Sequence, residues 1–271
     1  MKQNRWKWLI YIPAILISVI TLYPMLWTLC ASISEKSQLG RASIIPIGFT
    51  LDNYRKLFIE NSFYLYIGNT FVYTISATLI QLFFNSLAGY SISRLRYPGR
   101  NAVFMLFMST MMIPFTVVMI PLYLLVSRMG MTNSYFGLIL PSMASGYGVF
   151  MLKQFYSTIP KDLEEAGFVD GLSYFGIYRY IILPLSKPII LALGLFTFIG
   201  CWNNMLWPLI VNTRERWWVI TVGLKAFTNN RATDWNGVLT GAAVSMLPIA
   251  VLFAIFQKHL VEGIKMSGMK M

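Results

Sequence analysis

The sequence predicts an all-α membrane protein with six transmembrane helices, and three observations carry that expectation. Mean hydropathy is +0.61 and charged residues make up only 12% of the chain, a balance found in membrane proteins rather than soluble domains. Six intervals contain no Asp, Glu, Lys or Arg at all: 8–34, 61–93, 101–127, 129–152, 188–213 and 235–257. Each exceeds the roughly 20 residues that cross a bilayer as a helix. The intervals are also continuous apolar runs, whereas a β-barrel needs short alternating segments.

Taken in order, the first interval follows Lys2, Arg5 and Lys7, a start it shares with signal peptides. It is too long for one and no small-residue cleavage pattern follows, so it reads as an uncleaved anchor. The connection at about 34–60 contains "IIPIGFTLDNYRKLF", in which Leu51, Tyr54 and Leu57/Phe58 recur at helical spacing. A short amphipathic helix on the membrane surface is expected there. The second and third intervals are separated by seven residues holding Arg94, Arg96 and Arg100, while only Arg128 separates the third from the fourth. Basic residues favour the cytoplasmic side, so the N-terminus and the 94–100 break are placed inside. Parity then puts the C-terminus, with Lys258, Lys265 and Lys270, inside too, along with the 157–183 segment that precedes the fifth interval. The loop at roughly 212–234, "RERWWVITVGLKAF", reads as an interfacial aromatic belt long enough to dock a partner. No linker or low-complexity tract interrupts residues 1–271, which are expected to form a single transmembrane domain.

Several function classes are disfavoured. The net charge of +12 comes from residues at the ends of the spans rather than one patch, which argues against nucleic-acid binding. Cys30 and Cys201 fall in different spans without metal-ligand spacing and read as packing residues, and His259 stands alone, so neither metal nor other cofactor is expected. No phosphate-binding glycine loop is present, so ATP, if it powers the protein, is hydrolysed by a separate chain and this chain is not an enzyme. Ion-driven carriers generally hold ionisable residues at membrane depth, and none of the six intervals has an acidic or basic one. Their polar groups are neutral: Asn69, Gln81, Asn85, Asn203 and Asn204. With Trp202 and Trp207 in "CWNNMLWP", Asn203 and Asn204 fit a lining for a polyhydroxylated solute, Asn85 being a further candidate for that path. The same amides equally fit interhelical hydrogen bonds, and both readings stand. Prolines at 114, 121, 141, 208 and 248 interrupt the spans, as in helices that line cavities or move.

"DLEEAGFVDG", residues 162–171, gathers four of the chain's ten acids, Asp162, Glu164, Glu165 and Asp170. Pro160 and the first three acids suit a helix N-terminus, and Gly171 suits its left-handed stop. Ser173 is placed to cap a second helix, "YFGIYRYIIL", that leads through Pro184 to the fifth span. An acidic helix suits a basic protein surface better than the negative inner leaflet. It has no basic neighbour in sequence closer than Lys161, so Glu165 is expected to pair with a partner protein and Glu164, one position round the helix, to matter less.

"EAGFVDGLSYFGIYRYIILPLSKP" resembles the EAA motif of binding-protein-dependent ABC importer permeases, E-A-A-x3-G-x9-I-x-L-P. Glu165, Ala166, Gly171, Ile181, Leu183 and Pro184 match it, and Gly167 replaces the second Ala. "LDNYRKLF", "SISRLRYPGR", "IPLYLL", "LILPSMASGYGVFMLKQFYSTIP", "WNNMLWPLIV" and "FQKHLVEGIKMSGMKM" extend the resemblance along almost the whole chain. They resemble the carbohydrate-uptake subfamily that includes the second membrane subunit of the maltose transporter. The resemblance implies a type I ABC importer permease fold in a bacterial inner membrane, paired with a second permease. It also implies two copies of a cytoplasmic ATPase, an extracytoplasmic solute-binding protein and a sugar as cargo. Glu165, Ala166, Gly167, Asp170 and Gly171 then become the coupling residues that sit in a cleft of the ATPase. In the maltose system the C-terminal tail also enters the ATPase dimer, and family tails usually end in Lys-Gly; Lys270 matches and Met271 departs. Related permeases carry glycerol phosphate, which would favour a cationic cavity. An ion-coupled carrier and a non-transporting membrane scaffold also stay open.

Overall fold

A computed structural model describes residues 7–38, 43–228 and 233–268. The N-terminal Lys2 and Arg5 and the tail positions Lys270 and Met271 lie outside the described residues. The described backbone is helical, with two isolated bridges, Ser34 to Phe49 and Thr228 to Thr233, in place of strands. Contacts group the chain into two compact units, Met1–Ile67 with Ile220–Ala250, and Gly68–Val219 with Val251–Met271.

The first uncharged interval folds as helix α1 (Lys7–Ser32). From Tyr11 to Leu26 its side chains are exposed in the isolated chain, which suits a helix surrounded by lipid or by another membrane subunit. Ser18 and Thr28 donate back to the carbonyls of Ala14 and Pro24, so their hydroxyls are satisfied within the helix. The connection that follows holds α2 (Asp52–Arg55), which continues in wider π-helical turns through Lys56–Glu60. A helix forms where the spacing placed it, with its apolar residues divided: Leu57 is fully buried while Leu51 is exposed, and Asn53 Nδ2 ties the helix to the chain by donating to Ser32 O at 3.0 Å and Ser34 O at 2.9 Å.

The second interval forms one unbroken helix, α3 (Phe63–Arg94). The third is divided into α4 (Arg100–Met112) and α5 (Phe115–Arg128), bent by 104° at Ile113 and Pro114. Pro114 lacks an N–H and its ring pushes the preceding residue out of the helical region; Ile113 accordingly stands extended at φ −92°, ψ 117°. Pro121, by contrast, sits inside α5 without ending it. The fourth interval is shifted along the chain. Residues 129–134 form turns with Gly130 and Asn133 at positive φ, and the span comprises α6 (Tyr135–Ile139), a tight turn at Leu140–Ser142, and α7 (Gly146–Thr158), the two halves bent by 44°. Ser134 and Ser145 cap these helices by accepting from Gly137 N and Gly148 N. Charge did not end α7 at Lys153, because the ammonium lies 4.8 Å over the Phe104 ring.

The acidic stretch forms α8 (Asp162–Val169), followed by α9 (Tyr174–Ile177), π-helical turns at Tyr178–Ile182 and α10 (Leu183–Leu185). The fifth interval is broken into α11 (Lys187–Trp202) and α12 (Leu206–Val211). A single turn, α13 (Ile220–Gly223), precedes α14 (Trp235–Gly268), which contains the sixth interval and carries Pro248 inside it. Three described helices are long and apolar enough to cross a membrane unbroken, and the count reaches six when each bent pair is taken as one span.

Candidate functional site

The acidic stretch is built as its residues dictate. Asp162, Glu164 and Glu165 occupy the first turn of α8, beside the free N–H groups and the positive end of the helix dipole. The helix stops in a Schellman arrangement: Leu172 N donates to Gly167 O at 2.9 Å and Gly171 N to Phe168 O at 3.0 Å, with Gly171 at φ +81°. Ser173 Oγ then accepts from Gly176 N at 3.2 Å and starts α9. One side of this helical hairpin is buried against its own chain. A Cβ added at Gly167 would stand 2.8 Å from Ile181 Cδ1, so the glycine in place of the motif's second alanine lets α8 press closely onto the turns that follow it.

The outward side carries Glu165, Ala166 and Asp170 together with exposed apolar groups, Leu163, Phe168 and Val169 on α8 and Tyr174 and Phe175 on α9. Phe168 meets Tyr174 edge-on at 5.1 Å. Carboxylates flanking contiguous apolar side chains form a surface that a protein partner can desolvate.

Glu164 differs from the other acids. It turns inward to pair with Arg94, the last residue of α3, at 2.9 Å, with the two side chains 13% and 5% exposed. Burial pushes the Glu164 carboxyl above its ordinary range, and the Arg94 guanidinium and Lys161 pull in the opposite direction. Nη2 of Arg94 donates to the carbonyls of Tyr156 and Ile159 at the end of α7. A cavity of about 160 Å³ opens beside the pair, with Arg96, Arg100 and Lys161 facing Glu164 and Glu165. No local pattern announces this pair: helices α4 to α7 lie between its members in the chain, and Arg94 reads as one more basic residue at a span end.

Beneath the hairpin, Tyr90, Leu152, Tyr156, Ile159, Ile177, Tyr178, Ile182, Ile189 and Leu193 form a buried core. Inside it Ser86 Oγ lies 2.6 Å from the Tyr156 hydroxyl and 2.8 Å from that of Tyr178, and the Tyr90 hydroxyl donates to Tyr174 O at 2.9 Å. Hydroxyls from α3, from α7 and from the turns after α9 thus meet at one point.

The residues considered for a solute path are scattered in role. Trp202 is buried, edge-on to Phe71 at 4.9 Å and stacked with Phe198 at 5.6 Å. Trp207 is also buried, with Nε1 donating to Gly137 O at 3.1 Å. Asn85 is fully buried, its Oδ1 accepting from Ser145 N at 2.9 Å and so holding the start of α7. Asn204 is half-buried, with Nδ2 3.4 Å from the Tyr73 hydroxyl, and Asn203 alone of the five is exposed. Both asparagines lie at the break between α11 and α12, where Asn203 terminates the helix. Among the described residues no group of three or more His, Cys, Asp and Glu side chains is arranged so that it could hold a metal ion.

Comparison with known proteins agrees with this architecture. The arabinooligosaccharides transport system permease protein AraQ of Halalkalibacterium halodurans is 31% identical over 97% of this chain and 96% of its own length. The sn-glycerol-3-phosphate transport system permease protein UgpE of Escherichia coli is 31% identical over 90% of this chain and 91% of its own. A crystallised bacterial ABC transporter involved in import of the acidic polysaccharide alginate contains a chain of the same fold, with a TM-score of 0.82 and 21% identity over 95% of this chain and 98% of that one. The profile of the binding-protein-dependent transport system inner membrane components matches residues 83–266, a stretch that begins within α3 and contains the whole hairpin. The chain therefore belongs to that family and is a multi-pass membrane permease subunit of an ABC transport system.

Proposed function

We propose that this subunit forms, with a second permease, the path by which a neutral sugar or oligosaccharide is imported by alternating access across a bacterial cytoplasmic membrane. The observation that carries the reading is the end-to-end similarity to an arabinooligosaccharide permease. A glycerol-phosphate permease is equally identical in sequence, and the choice between the two rests on chemistry. A phosphate cargo calls for cationic groups along the path, and the six uncharged intervals supply no Lys or Arg. Two copies of an ATPase supply the energy, and an extracytoplasmic binding protein delivers the solute. Both termini, the 94–100 break and the α8 hairpin lie on the cytoplasmic side.

The ATPase is the partner that fits the outward face of α8. Glu165 and Asp170 would meet basic groups there while Phe168 and Val169 are removed from water. Breaking a desolvated interfacial charge pair costs about 2–5 kcal/mol, against almost nothing for a rim charge. Glu165→Lys should therefore lower ATPase co-purification by more than about tenfold in detergent; retention equal to wild type would remove α8 as the docking element. Cargo is tested in proteoliposomes containing the complete complex, supplied with labelled arabino-oligosaccharide or glycerol 3-phosphate. ATP-dependent accumulation of the neutral sugar is expected. Accumulation of the phosphate alone, or uptake that follows an ion gradient without an ATPase, would overturn the reading.

A further inference from the structure

We infer that Arg94 is the positioning residue that converts displacement of α8 into displacement of α3, so that without it ATP is hydrolysed and little solute moves. This rests on the ABC permease reading above and adds to it a specific route by which force enters the membrane. Arg94 is the last residue of a 32-residue helix, at the end nearest the hairpin. Its planar guanidinium engages three groups on two elements at once: the Glu164 carboxylate on α8 at 2.9 Å, and the carbonyls of Tyr156 and Ile159 at the end of α7. The other contacts that seat α8 are of a different kind. At Gly167 it rests on the aliphatic side chains of Ile181, Ile177 and Leu172, and apolar contacts of this sort are non-directional. They hold α8 down but resist sliding weakly. The single Nη1–Oε1 contact to Glu164, largely shielded from water, ties α8 to a guanidinium whose Nη2 is itself anchored on two carbonyls at the end of α7, and so resists movement of α8 away from α3. Movement imposed on the exposed side of α8 is thus delivered to the end of α3 through Glu164 and Arg94, and α3 carries with it Ser86 and Asn85, about two turns back, which are bonded to Tyr156 and Ser145.

The complete complex, reconstituted with its partner permease, ATPase and binding protein, decides the matter through the ratio of solute imported to ATP hydrolysed. Arg94→Ala leaves Glu165, Asp170 and the exposed apolar side chains of α8 in place. The ATPase should remain bound to within about twofold while the transport-to-hydrolysis ratio falls by at least about tenfold. Arg94→Lys, which keeps the charge but not the fork, should lie between Arg94→Ala and wild type. The exchange Arg94→Glu with Glu164→Arg should recover part of the ratio lost in either single reversal. The inference is overturned if Arg94→Ala transports per ATP within about twofold of wild type. It is also overturned if ATPase retention and transport decline in parallel in both Arg94→Ala and Arg94→Lys, because the pair then only maintains the fold. Failure of the wild-type chain to retain any ATPase would instead refute the permease reading itself.

Discussion

Gly171 stands at φ +81°, and a Cβ placed there would meet nothing within 4 Å. The requirement for glycine is therefore one of backbone conformation alone, with no steric component. Left-handed geometry costs an L-residue about 1–2 kcal/mol and a β-branched one more, while Asn tolerates it best. Gly171→Val should accordingly abolish uptake while the chain still inserts, and Gly171→Asn should retain most of it. Uptake normalised to membrane-inserted protein measures both, and equal activity of the two variants would show that the stop of α8 is not needed. Glu164 makes a prediction about acid. Its carboxyl is raised above the ordinary 4.5 by burial, so the folded chain binds its proton before the unfolded chain does. Stability contributed by this group is then fully present at low pH and lost as pH rises through the folded value. The melting temperature of wild type minus that of Glu164→Gln should therefore increase as pH falls from about 7 toward 4.5, and a decrease would mean that attraction to Arg94 outweighs desolvation.

Among the elements, the hydroxyl cluster under the hairpin allows a graded comparison. Tyr156→Phe removes one of three hydroxyls and leaves Ser86 bonded to Tyr178, whereas Ser86→Ala strands two phenols that both point at it. An unpaired buried hydroxyl costs about 1–3 kcal/mol, so Ser86→Ala, which strands two, should lower thermal stability clearly more than Tyr156→Phe, which strands none. Denaturation of the purified complex in detergent tests the order, which reverses if water replaces the serine. The sequence was an uneven guide to these elements, for physical reasons. Runs without charge located α1, α3 and α14 to within a few residues, except that α14 continues past Gln257, because an unbroken apolar helix is visible as composition. The bend at Pro114 was marked by its proline, but Pro121 and Pro248 carry the same mark inside continuous helices. Lys153 closed the fourth interval too early because its stacking on Phe104 is a tertiary contact. The stop at Gly171 and the cap at Ser173 were legible, since both are determined by a few adjacent residues. Arg94 with Glu164 was not, because the two are brought together only by the packing of helices distant in the chain.

For the whole molecule, the candidate path residues separate into those available to cargo and those that hold the span together. Asn203 is exposed at the helix break, and Asn203→Ala should weaken uptake while leaving expression and ATPase retention unchanged. Asn85→Ala removes the acceptor for Ser145 N, so it should lower the amount of folded protein and leave transport per folded molecule nearly intact. Paired measurements of solubilised yield and specific uptake distinguish the two, and identical profiles would place both asparagines in the same role. The link between Arg94 and Glu164 also fixes an order in time. The two residues are 70 positions apart, 164 minus 94, and α4, α5, α6 and α7 are synthesised between them. At roughly 5–20 residues per second the ribosome needs about 4–14 s to cross that distance. Throughout this interval the nascent chain carries a guanidinium without its counterion at the end of a finished helix. The hairpin-side end of α3 therefore cannot be locked by this contact until α8 has been synthesised, which makes its closure a late step in the assembly of the chain.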